Sequence, residues 1–105
     1  MIAWREFGLW REGVRHALAG GLWLHRFALR GEDWAHLVSA DRRALIQAGR
    51  LLDLPEVWLQ FRPLRDPQSR GRVDAWHWDL RRERLARAVA LAAPKVPYRP
   101  NRPNS

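Results

Sequence analysis

Apolar side chains recur at Ala3, Phe7, Trp10, Val14 and Ala17 or Leu18, spacings of four, three, four and three or four that line one face of a helix. The pattern predicts an amphipathic helix over 2–19, weakened by Gly8 and Gly13 and ended by Gly20 and Gly21. The aromatic and aliphatic run "LWLHRFA" predicts a strand over 22–28, and "RGED" a turn. Trp34 to Val38 reads as a second strand. Ser39 or Asp41 can then cap a helix whose buried stripe is Leu45, Ala48, Leu51 and Leu52, and Pro55 stops it. With a third strand at Val57 to Phe61, residues 34–61 have the length of a strand, helix, strand crossover, for which parallel strands and a right-handed path are expected.

Residues 62–74 hold Pro63, Pro67, Gly71 and four arginines with little that can pack, which predicts a mobile basic loop. "AWHWDL" follows as a short strand, then a helix that buries Leu85, Ala88, Val89 and Ala92. The proline-rich segment 94–105 is expected to be a disordered tail. The expected architecture is α/β (α+β), a single domain over 1–93. It comprises a sheet of three or four strands with one crossover, an N-terminal amphipathic helix and a C-terminal helix.

Composition narrows the chemistry. At 105 residues the chain is long enough for one core, and seven tryptophans supply the apolar area to fill it. The absence of cysteine excludes disulfides, thiolate zinc sites and cysteine nucleophiles. No apolar run approaches the roughly 18 residues of a membrane span and no leader is read at the N-terminus, so the expectation is a cytoplasmic protein with no membrane partner. A formal charge of +8 favours anionic partners, nucleic acid or nucleotide first. All the basic residues but Lys95 are arginine, which suits bidentate phosphate binding and base stacking but also follows from GC-rich coding.

The segments "WAHLVSADRRALIQAGRLLDLPEVWLQF" and "HWDLRRERLARAVALAA" together resemble the phage and bacterial family catalogued as domain of unknown function 4031. The resemblance runs over residues 34–93. It rests on His36-Leu37, the capped helix to Leu54, Trp58 and Gln60, then His77, Trp78, Asp79 and Leu80, with basic Arg84 beyond. The chain departs from that pattern in four places. Some 20 residues precede the first family strand, His25 stands where the family has an aspartate, the 62–76 loop is longer, and Trp78 replaces a tyrosine. The resemblance implies a common arrangement of these residues and no activity.

Alternation along a strand puts His77 and Asp79 on one face and Trp76, Trp78 and Leu80 on the other. If the two strands flanking the crossover lie side by side, His36, Gln60, His77 and Asp79 converge at one edge of the sheet, and Arg84 points there from the last helix. Several chemistries fit. A non-catalytic anion pocket would use the histidines and Arg84 on a phosphate and Gln60 on a base or sugar edge. Nucleic acid would then run along Arg62, Arg65, Arg70, Arg72, Arg81 and Arg82. Alternatively, His36, His77 and Asp79 are a metal triad or an acid/base pair of a small phosphoester hydrolase, although His-X-Asp spacing is generic and by itself assigns no catalytic residue, metal or cofactor. The third reading is structural, with His77 hydrogen-bonded to Asp79 and Trp58, Trp76 and Trp78 in the core. The fourth is an accessory protein that binds a host protein, or a homodimer, through Trp4 and Trp10 of the first helix. His16 and His25 have no evident partner.

Overall fold

The computed structural model describes residues 2–93, so the expected tail at 94–105 lies outside the described residues. Trp4–Arg5 (β1), Leu22–Leu29 (β2), Glu32–Ser39 (β3), Gln60–Phe61 (β4), Leu64–Arg65 (β5), Arg72–Val73 (β6) and Trp76–Arg81 (β7) are the strands. The helices are Trp10–Leu18 (α1), Arg42–Leu51 (α2) and Arg82–Leu91 (α3). One sheet runs β1-β2-β3-β7-β4, and β5 and β6 form a small second sheet. The fold is therefore mixed α+β, with the helix expected at each end. No helix among the described residues is long and apolar enough to cross a membrane.

β2 and β3 make a tight hairpin whose two turn residues, Arg30 and Gly31, both have positive φ (53° and 77°). This is the backbone hand that matches the right-handed twist of the strands. α2 starts where Asp41 accepts a hydrogen bond from the Ala44 N–H at 3.1 Å, while the Ser39 hydroxyl accepts from the Asp41 N–H at 2.9 Å. Beyond α2 the chain makes one turn of 3-10 helix over Glu56–Trp58 and enters β4. Both β3 and β4 pair antiparallel with β7. The two strands flanking α2 are thus parallel, but β7 lies between them. Together with β2 beside β3, the order and directions are those of a split β-α-β sandwich of the ferredoxin-like kind, with its usual last strand placed first.

Four sequence expectations need correction. The N-terminal helix does not start at residue 2: Trp4 is buried against the sheet edge and its indole N–H donates to the Ala88 carbonyl at 2.7 Å, so β1 precedes a shorter α1. Strands β3 and β4 are not side by side. Val57 and Trp58 are exposed in the 3-10 turn and are not strand or core residues. The basic segment 62–74 closes as the β5/β6 hairpin, with Asp66 accepting from the Gln68 N–H at 2.9 Å and Arg70 in a left-handed conformation (φ 66°). With β1 the main sheet has five strands, one more than the three or four expected.

The core lies between the sheet and the α2/α3 pair, where Leu22, Leu24, Leu37, Trp78 and Leu80 meet Leu45, Ala48, Leu52, Leu85 and Ala88. On the opposite face α1 covers only one end, packing Val14 and Ala17 on Trp23 and Val38. Each helix approaches its tryptophan through a glycine. A Cβ at Gly13 would lie 2.1 Å from the Trp23 indole, and one at Gly49 would lie 2.5 Å from the Trp78 ring. Gly49→Ala is therefore expected to lose about 1–3 kcal/mol to overpacking, more than the roughly 1 kcal/mol that alanine gains in helix propensity. Urea denaturation of the two proteins measures the difference, and an unchanged or raised midpoint would contradict it.

Candidate functional site

Because Trp78 and Leu80 are buried under the helices, their neighbours on β7 turn to the other face. The register then decides which residues meet there. Asp79 stands opposite His36, His77 opposite Val38 on one side and Gln60 on the other, and Arg81 opposite Trp34. On β2, His25 is opposite His36 and Phe27 opposite Trp34. Of the five residues expected to converge, four do so.

Asp79 is the centre of the cluster. Its Oδ1 lies 3.0 Å from His36 Nε2 and 3.3 Å from His77 Nε2, and its Oδ2 accepts from the Gln60 side-chain N–H at 2.7 Å. The two imidazoles are stacked, with centroids 4.3 Å apart and planes at 22°. The cluster is closed below and open above: the His77 side chain is 8% exposed, whereas those of His36 and Asp79 are 34% and 37% exposed. Burial pushes His77 down to about 4, helped by the charges of His36 and Arg62 and opposed in part by Asp79. Burial also lowers His36, against the pull of Asp79. Both are therefore neutral imidazoles near pH 7, the form that can take a proton or ligate a metal. The donor atoms of His36, His77 and Asp79 all lie within 4.8 Å of one another.

The histidines end a row of rings that crosses the sheet. From Trp10 the row passes to Trp23 (5.0 Å), His25 (5.0 Å), Phe27 (5.9 Å) and His36 (4.7 Å). His25, without a partner in the sequence reading, is held between Trp23 and Phe27, and burial lowers it to about 4. His25, Phe27 and Trp34 are the site residues that sequence reasoning passed over. The signal was present in the alternation of "WLHRF" in β2, which puts Trp23, His25 and Phe27 on one face once the hairpin turn is placed at Arg30 and Gly31.

Arg84 does not join the cluster. It sits beyond the opposite face, where its Nε donates to the Leu52 carbonyl at 3.3 Å, its Nη2 donates to the Asp53 carbonyl at 3.1 Å, and its guanidinium lies 5.3 Å over Trp58. It satisfies carbonyls left free at the end of α2. Arg81, Arg82, Arg84 and Arg87 line a cleft of about 520 Å³ with Asp53. Arg82 Nε is 3.2 Å from Glu32, and Arg81 lies 4.9 Å over the Trp34 ring. Arg65 and Arg72 face each other across the β5/β6 hairpin. Arg62 is next to the histidines, where the Arg62 N–H donates to the Ala75 carbonyl at 2.8 Å. Arg62 and Arg81 thus flank the cluster from opposite ends of β7, about 20 Å apart along the strand.

Compared with family models, curated proteins and solved structures, the chain matches none.

His25 and His77 titrate near 4 in the fold and near 6.5 when unfolded, so the unfolded chain binds more protons between those values. Stability is then fully present above pH 6.5 and is lost as pH falls toward 4. The melting temperature should decline across that window, and more shallowly in His25→Phe; a flat profile from pH 7 to 4.5 would contradict the assignment.

Proposed function

We propose that the open face of the sheet binds single-stranded nucleic acid without cleaving it. The observation that carries this reading is the row of half-exposed rings, Phe27, Trp34 and His36, on the solvent side of the antiparallel strands β2, β3 and β7, with Arg62 and Arg81 at either end. Rings presented in this way stack on bases, each contact contributing about 1–3 kcal/mol with little sequence preference. The arginines would hold the backbone, and the charge of +8 would draw the strand in. Gln60 is engaged with Asp79, so it orients the carboxylate and does not read a base.

Fluorescence anisotropy of a labelled oligonucleotide tests this. Affinity should fall steeply with salt, and Phe27→Ala and Trp34→Ala should each weaken binding about tenfold. Arg62→Ala and Arg81→Ala should each flatten the logarithmic salt slope by about 0.7. Lack of binding at low salt would remove the reading.

The contact of two neutral imidazoles with one carboxylate favours a second reading, phosphoester hydrolysis with His36 or His77 as the base and Asp79 as its orienting partner. Turnover of a generic phosphodiester that His36→Ala or His77→Ala abolishes would support it, and turnover that survives both changes would exclude it.

A further inference from the structure

We propose that His36, His77 and Asp79 bind one divalent first-row transition ion through the two Nε2 atoms and Oδ1, with the remaining coordination positions open to the sheet face. The site stands on its own geometry and holds whichever reading of the face survives.

The carboxylate oxygen stands at coordination-shell spacing from both imidazole nitrogens, and all three donors lie within 4.8 Å of one another. Ligands about 2.0–2.1 Å from an ion, at tetrahedral or octahedral angles, lie about 2.9–3.4 Å from each other. Here Oδ1 is 3.0 Å from one Nε2 and 3.3 Å from the other. Both rings present the same nitrogen to the same oxygen, although they come from different strands. His36 is on β3 and His77 is two residues from Asp79 on β7, so the sheet register holds all three donors in place before any ion arrives. Two imidazoles with one carboxylate are a ligand set for zinc, iron or cobalt and a poor one for magnesium or calcium, which take oxygen shells.

The surroundings fit as well. Gln60 grips Oδ2 and so points Oδ1 at the histidines, the role of an outer partner at a metal site. The buried His77 closes the inner side, and the half-exposed His36 and Asp79 leave the outer side free for water or a ligand oxygen.

The full-length chain, free of any affinity tag and dialysed against a chelator, is titrated with Zn²⁺ by calorimetry and with Co²⁺ by visible absorption. One ion per chain is expected, with the absorption of a nitrogen and oxygen shell. His36→Ala and Asp79→Asn, at half-exposed positions, should weaken binding more than 100-fold, and Gln60→Ala roughly 10- to 100-fold. Circular dichroism establishes that each variant is folded. No saturable uptake by the parent chain, or equal affinity in folded His36→Ala and Asp79→Asn, would overturn the site.

Discussion

Burial of the Trp78 indole is the constraint on which the rest depends. Its ring lies against Gly49 of α2 and its N–H donates to the Leu45 carbonyl at 2.7 Å, so one side chain joins β7 to the helix above it. A buried tryptophan removes on the order of 150–250 Å² from water, and a buried indole N–H needs an acceptor. Few other placements of β7 satisfy both. A slip of one residue would put His77 and Asp79 under the helices and the indole in solvent, losing the apolar burial while desolvating a carboxylate. The site is therefore fixed by the core on the far side of the sheet.

Trp23 plays the matching part on the other face. It accepts α1 through Gly13, and with Val38 it makes a second, smaller cluster. The cover extends only that far. Beyond it Phe27, Trp34 and His36 stay half-exposed, because α1 has nine residues and the first of them, Trp10, packs on Trp23 and His25. The same division explains Arg84: α2 and α3 share the covered face, so a side chain one turn into α3 meets the end of α2 and not the histidines.

What could be read from the chain follows this division. The two faces of β7 were legible, because alternation needs only neighbouring residues. The meeting of His36 with Asp79 was legible as a set of residues but not as a path: the route assumed β3 beside β4, whereas β7 enters between them through a distant pairing that no local pattern encodes. Ala3 and Phe7 continue the helical spacing of α1, so Trp4 looked like helix surface, yet its bond to the Ala88 carbonyl makes it sheet edge and core. The strands β5 and β6 have two residues each, too few to show alternation. His25 and Phe27 needed only the hairpin register.

The charges on the open face have a tension that links its parts. Arg62 and Arg81 at the ends of β7 would attract an anionic strand, but Asp79 stands between them, and both neighbouring histidines are neutral. The cluster by itself thus carries one negative charge where a bound backbone would cross. Two unit charges 4 Å apart at an effective dielectric of 20 interact by about 4 kcal/mol, enough to offset the gain from one arginine. A divalent ion on the three donors would change the cluster from one negative charge to one positive, and its open positions would face the strand. Without the ion, phosphates are favoured only at the two ends, leaving the middle of the face for uncharged base edges and rings. On the proposed nucleic-acid reading, a dependence of affinity on a chelator would thus report which part of a nucleotide lies over Asp79.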